Sequence, residues 1–398
     1  MNYTKIAGDI TTAQGFKTAS VKTGVKNNSP DLVIIHSEKW AETAAVYTTN
    51  QVQAAPIMIC KEHLKDGSAR AIVVNSGIAN ACTGAEGYQN AIKMTEIAAD
   101  NLNLDKEDVL VASTGIIGKQ LPMSKITGGI KEAAGKLNKN GGEKAARAIQ
   151  TTDNMLKRAA AKIKLKGQEI KIGGMAKGSG MIEPNMATML SFISTDASIK
   201  SELLERALRA AVDDSFNKIT VDGDQSTNDM VAIMANGMSE APEITAGSTA
   251  FQKFKSALKY VAEKLAKMIV KDGEGATKLI EINVSGASDN KTAEKIARQI
   301  ANSPLVKTAI YGEAPSWGRI AAAAGSAVNK FDCCDLQIAI NGEKVFGPEE
   351  KVHQFSQNIL TSNTINIEVT MGKGGASSKI WTCDFSQEYI EINAKYYS

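Results

Sequence analysis

Short runs of branched apolar residues punctuate the first third of the chain. Leu32-Val33-Ile34-Ile35 and Ala71-Ile72-Val73-Val74 predict buried strands, and Val109-Leu110-Val111-Ala112 predicts a third. Between them, Ile92, Met94, Ile97, Ala98 and Leu102 fall on one side of a helix from about Gly87 to Leu104. Helical patterns follow near Met123–Leu137 and Gly142–Ala161. Next come a Lys-rich strand pair over Lys162–Ile172, a strand over Thr188–Thr195, and helices over 200–216 and 249–270. The pattern changes near Thr277. Leu279–Ser285 reads as a strand and Lys291–Asn302 as a helix, followed by the apolar run Val306–Tyr311. Leu336–Val345 reads as a hairpin turning at Asn341-Gly342, and Thr364–Met371 and Lys379–Ile392 as strands. Ile365, Ile367 and Val369 alternate with Asn366, Glu368 and Thr370, as in a strand buried on one face.

This order of elements predicts an α/β (α+β) protein in two parts, a main domain over 1–276 and a smaller α+β domain over 277–398. With 398 residues, 43% hydrophobic and 22% charged, the chain can bury a core that needs no disulfide or metal. A formal charge of +3 is too weak to point to nucleic acid. No apolar run is long enough to predict a membrane span, and residues 1–10 carry no apolar leader, so a cytoplasmic protein is expected.

Five cysteines (Cys60, Cys82, Cys333, Cys334 and Cys383) match no zinc spacing and read as free buried thiols in a reducing compartment. The three histidines, His36, His63 and His353, lie near neither one another nor a glycine motif. If the chain is an enzyme, its base is expected not to be histidine.

Four segments hold more glycine and small polar residues than a core needs: 75–84, 112–118, 177–190 and 220–229. None is a P-loop, because Ala176-Lys177-Gly178-Ser179 reverses the order that a phosphate cradle requires. Asp222, Asp224 and Asp229 lack the Glu that closes an EF-hand loop, so a polar turn or subunit contact is the simpler reading. In the third segment, a glycine-rich loop passes through Pro184 to Ala187-Thr188, where an apolar strand begins. A threonine there is ordinarily structural, β-branched and satisfied by a backbone carbonyl. The alternative is a threonine that becomes a chain N-terminus by self-cleavage and uses its own α-amine as base. That amine titrates at about 7.7–8.0, near working pH, and needs no histidine.

Lys177-Gly178-Ser179-Gly180-Met181-Ile182-Glu183-Pro184-Asn185-Met186-Ala187-Thr188-Met189-Leu190 closely resembles the autoprocessing signature of the ornithine acetyltransferase (glutamate N-acetyltransferase) family. The resemblance continues along nearly the whole chain. It includes Gln14-Gly15-Phe16, Tyr47-Thr48-Thr49-Asn50, Asn75-Ser76-Gly77, Ser113-Thr114-Gly115-Ile116-Ile117-Gly118 and Thr151-Thr152-Asp153. Further on it takes in Asp222-Gly223-Asp224, Ser226-Thr227-Asn228-Asp229, Asp272-Gly273-Glu274-Gly275-Ala276-Thr277, Trp317-Gly318-Arg319 and Tyr389-Ile390-Glu391-Ile392-Asn393-Ala394.

The resemblance implies an αββα-type main domain and self-cleavage between Ala187 and Thr188. The resulting α chain (1–187) and β chain (188–398) would stay associated, as α2β2 units or larger. It implies that Thr188 takes acetyl from N-acetylornithine and passes it to glutamate by ping-pong covalent catalysis in arginine biosynthesis. Thr114 and Gly115 match the oxyanion hole, and Thr151, Lys177, Thr188, Glu274, Asn393 and Ser398 fall where the family binds substrate. No metal or cofactor is implied. Some members also use acetyl-CoA as donor, a point on which these residues are silent. Asp153-Asn154 stands where Asp-Thr is more common. Glu313-Ala314-Pro315-Ser316 precedes Trp317 where Asp-Pro-Asn is more usual, which removes a carboxylate and an amide from a loop that would bear on the pocket. An autoprocessed amidase or aminopeptidase, with water as acceptor, is the second reading. A non-catalytic binding protein that is never cleaved is the third.

Overall fold

A computed structural model describes residues 2–27, 29–183, 189–328, 335–348, 356 and 358–395. The chain opens with β1 (Thr4–Ile6), β2 (Phe16–Val21) and the long β3 (Leu32–Tyr47). It continues through α1 (Ala55–His63), β4 (Ser68–Ile78), α2 (Gly84–Leu102), β5 (Val109–Ile116), α3 (Met123–Ala134) and α4 (Gly142–Ala148). Then come β6 (Lys157–Leu165), β7 (Gln168–Lys177), β8 (Leu190–Thr195), α5 (Ser201–Asp213), β9 (Met230–Ala235) and α6 (Thr249–Lys271). The remainder comprises β10 (Leu279–Ala287), α7 (Asn290–Ala301), α8 (Pro304–Tyr311), α9 (Trp317–Ser326), β11 (Gln337–Ile340), β12 (Glu343–Phe346), β13 (Thr364–Thr370), β14 (Ala376–Cys383) and α10 (Gln387–Lys395).

One large sheet runs β1-β6-β7-β8-β9-β3-β4-β5, with β2 also paired to β3. β3 is long because it serves two neighbourhoods. Its first half pairs with β2 and β4, the β4 pairing resuming at Ala41 and Glu42, and Glu42–Tyr47 pairs with β9. An irregularity between His36 and Ala41 interrupts the β3–β4 pairing. Met175, Leu190, Phe192, Met230, Ala232 and Met234 face a core shared with β2–β5 and α1–α4. The alternate residues Ile193, Val231, Ile233 and Ala235 face a second core under α5 and α6. With residues alternating across each strand, the layers are helix, strand, strand, helix, as the family resemblance implies.

A five-stranded sheet, β12-β11-β13-β10-β14, is built wholly from strands after residue 276 and has its own core with α7–α9. Its hairpin turns at Asn341 (φ 48°) and Gly342 (φ 82°), the left-handed pair that a two-residue turn needs. Trp381 and Cys383, at the end of β14, join the core under α6 and tie the two sheets together.

Two sequence expectations change, and the unassigned apolar run Val306–Tyr311 gains an element. The helix expected over 142–161 ends at Ala148, and 157–165 is a strand: Ala159, Ala160 and Ala161 favour helix intrinsically, but packing beneath α6 and beside β7 decides. Val306–Tyr311 lies in α8, started by Ser303, whose hydroxyl accepts from Val306 N, with Pro304 in the first turn. Lys379–Ile392 is not one strand. β14 stops at Cys383 and α10 begins at Gln387.

Candidate active site

The floor of the site is the end of two parallel strands. Thr114 of β5 lies opposite Ser76 of β4, and Gly115 opposite Gly77. The approach is so close that a Cβ on Gly115 would sit 2.3 Å from the Gly77 carbonyl carbon, and Gly115 has φ +127°. Only glycine meets both conditions. Asn228, just before β9, donates through Nδ2 to Ala79 O (2.6 Å) and Ser113 O (2.8 Å). This sews the 226–229 loop to both strand ends, and Thr227 Oγ1 donates to Asn228 Oδ1 (2.7 Å) to fix the amide's orientation.

Lys177 closes β7 and is only 8% exposed. Its Nζ donates to Thr114 Oγ1 at 3.3 Å. Beneath it lies an ionic cluster. Lys157, 1% exposed, donates to Asp153 Oδ1 (2.7 Å) and Asp272 Oδ2 (2.5 Å). Asp153 also accepts from Gly178 N (2.7 Å) and Thr151 N (3.0 Å). Asp272 accepts from Asn154 N and Met155 N. One buried ammonium therefore joins the 151–155 turn, the end of β7 and the loop after α6. That loop carries Glu274, whose N–H donates to Ser179 O (2.9 Å) and whose carboxylate packs against Gly180. Asn393 Nδ2 of α10 donates to Glu274 Oε2 (2.9 Å), so the C-terminal helix reaches the site.

These groups enclose a cavity of about 270 Å³. Thr114, Gly115, Ile117, Thr151, Thr152, Lys177, Glu274 and Asn393 line it, with Met189, Asn228 and Asp229. Burial pushes the Lys177 ammonium below the usual lysine range, against the pull of Asp153, Asp229 and Glu274. Burial also acts to raise Asp153, but Lys177, Lys157 and the Gly178 N–H outweigh it and hold that carboxyl at about 2. Burial pushes Asp229 well above the usual carboxylate range, with a Ser226 hydrogen bond and Lys177 opposing it. Among the described residues, Asp229 Oδ2 has no hydrogen-bond partner.

Six residues expected at the site, Thr114, Gly115, Thr151, Lys177, Glu274 and Asn393, thus line one cavity although they are spread over 280 positions of sequence. Ala187, Thr188 and Ser398 lie outside the described residues, as do His353, Cys333 and Cys334; of the other cysteines, Cys60 and Cys383 are buried as expected, but Cys82 is exposed. Met189, next to Thr188, lines the cavity. Two departures from the family pattern do not bear on it. Asn154 contributes its backbone N–H, which any non-proline residue supplies, and Ala314, Pro315 and Ser316 line a separate small pocket beside α8. The structure adds Asn228 and Asp229, whose segment reads in sequence as a polar turn, and the Lys157–Asp272 pair. For that pair, no sequence spacing links residues 115 positions apart.

The ArgJ family model matches residues 17–398. The arginine biosynthesis bifunctional protein ArgJ of Caldanaerobacter subterraneus subsp. tengcongensis is 46% identical over 399 residues, covering 98% of each chain. The protein of the same name from Thermosynechococcus vestitus is 44% identical over 99% of each. Among solved structures, ornithine acetyltransferase from Mycobacterium tuberculosis, complexed with ornithine, is 36% identical over 96% of its chain and 45% of this one, with a TM-score of 0.42. A family match over nearly the whole length, with relatives this similar end to end, carries the conclusion: the chain belongs to the ArgJ family.

Proposed function

We propose that the protein is an N-acetyltransferase of arginine biosynthesis that moves acetyl from N-acetylornithine to glutamate through an ester on Thr188. The observation that supports this most is the meeting of Thr114, Gly115, Lys177, Glu274 and Asn393 around one small cavity bordered by Met189. Lys177 and Glu274 give it a cationic and an anionic group, which suits an α-carboxylate and an ammonium on one substrate. The donor's acetyl carbonyl is attacked by Thr188 Oγ, with the Thr188 α-amine taking the hydroxyl proton. Collapse of the tetrahedral intermediate expels ornithine, which takes up that proton. Glutamate's amine then attacks the ester and leaves as N-acetylglutamate, restoring the hydroxyl. Thr114 and Gly115 stabilise the oxyanion in both halves. No metal or cofactor takes part in these steps, and acetyl-CoA is an alternative donor to be assayed.

The same hydroxyl releases the α chain from the β chain in the precursor. β7 belongs to the first and β8 to the second, yet they pair over six residues, and β9 pairs with β3. The cleaved chains would share one sheet and stay together in the cytoplasm, as α2β2 units. Intact mass under denaturing conditions tests the reading. Two chains, the second starting at Thr188, together with acetyl transfer that Thr188→Ala abolishes, are expected. A single 42.2 kDa chain that transfers acetyl would refute it. Acetate released without glutamate would favour the hydrolase.

A further inference from the structure

Residues 181–183, which lead to the proposed scissile bond, are held by residues from the far side of that bond. Asp222 accepts from Met181 N (2.6 Å) and Ile182 N (2.8 Å). Val221 N donates to Ile182 O (2.7 Å). Glu183 is gripped at both oxygens, Oε1 by Arg298 Nη1 (2.8 Å) and Oε2 by Asn302 Nδ2 (3.1 Å). Thr220 Oγ1 donates to Asn302 Oδ1 (2.7 Å) and fixes that amide. Met181 has φ +57° and is 40% exposed, so its left-handed backbone is set by these bonds more than by side-chain packing. Beyond the bond, Met189 O accepts from Met230 N (3.0 Å) at the start of β8. Both ends of the link from Glu183 to Met189 are therefore anchored.

We infer that Arg298 and Asn302, at the end of α7, are positioning residues for self-cleavage: they lock Glu183 and so hold the chain entering the Ala187–Thr188 bond in register with its nucleophile. The inference rests on the proposed self-cleavage. In that step Thr188 Oγ bonds to the Ala187 carbonyl carbon, the C–N bond breaks, and the nitrogen keeps the hydroxyl proton as the new α-amine. Water then hydrolyses the ester to the Ala187 carboxylate. Such an intramolecular attack depends on how much of the chain's freedom is removed beforehand. Once the bond is cut the link has no further task, so the clamp acts on maturation and not on transfer.

The test is a time course of precursor conversion, read by intact mass, in the full-length chain and four variants. Glu183→Gln, which changes one atom, and Arg298→Gln should slow conversion about tenfold or more. Arg298→Lys should recover part of the rate. Their processed fractions should keep kcat and KM for acetyl transfer. Glu294→Gln is the structural control. It breaks the Lys218–Glu294 and Arg298–Glu294 pairs without touching residues 181–183, and should mature at the parental rate. Parental rates in Glu183→Gln and Arg298→Gln, equal slowing in Glu294→Gln, or a matching loss of kcat after processing would each overturn the inference. If instead the parent stays uncut, or Thr188→Ala still cleaves, it is the self-cleavage reading that fails.

Discussion

Lys177 Nζ donates to Thr114 Oγ1 across 3.3 Å, and this fixes what the threonine can do. With its oxygen accepting from an ammonium, the hydroxyl keeps its own proton for another acceptor. In the proposed mechanism that acceptor is the oxyanion. Thr114→Val should therefore lower kcat by about 10²–10³ and slow processing, while Thr114→Ser should keep most of both. Steady-state transfer kinetics and the mass time course read the two effects. Full activity in Thr114→Val would remove Thr114 from the oxyanion hole.

Gly115 and Gly118 make a paired test of the strand end. Gly115 has φ +127° and its Cβ would strike Gly77, whereas Gly118 has φ +79° and no described residue within 4 Å of a Cβ. Gly118→Ala should cost roughly 1–2 kcal/mol, the ordinary penalty for a left-handed alanine. Gly115→Ala should cost more, because β4 and β5 must also separate, and it should abolish transfer. Urea denaturation of the two variants compares the costs.

Lys157 is the hub of the buried cluster, and its charge compensates two carboxylates. Lys157→Met leaves Asp153 and Asp272 buried with one ammonium fewer and should cost about 3–5 kcal/mol. Lys136→Met, which breaks the exposed Lys136–Glu132 pair, should cost less than about 0.5 kcal/mol. Comparable losses in the two variants would contradict the assigned role of burial.

Half-buried His36 and buried Asp229 should tilt stability against pH in opposite directions. Burial, with Arg70 and Lys17 nearby, lowers His36 from 6.5 to about 4. Between those values the unfolded chain binds a proton that the folded one refuses, so His36 makes stability fall as pH drops from about 6.5 towards 4. Asp229 has its pKa raised by burial, so above the ordinary carboxylate pKa the folded chain keeps a proton that the unfolded one releases. Its contribution falls as pH rises towards its folded pKa. Tm profiles should lose the first slope in His36→Gln and the second in Asp229→Asn. An unchanged profile in either variant would show that the group does not titrate as its burial requires.

Much of this protein is legible without coordinates. The branched runs at 32–35, 71–74 and 109–112 became the strands β3, β4 and β5, and the 3.6-residue pattern after Gly87 became α2, because burial of a sheet face or helix stripe leaves a local period in the sequence. The motif around Thr188 and the ordered matches along the chain pointed to the family, which the comparisons bear out. Tertiary structure decided the rest. Ala159-Ala160-Ala161 became strand because β7 and α6 were there to pack against, which no local propensity records. Lys157 with Asp272, Asn228 with Ala79, and Arg298 with Glu183 are bonds between residues 115 to 149 positions apart. Sequence determined which segments bury an apolar face and which residue types are available for chemistry. Only the folded chain decided which polar groups share a desolvated space, and there their charges and hydrogen bonds acquire their strength because water no longer screens them.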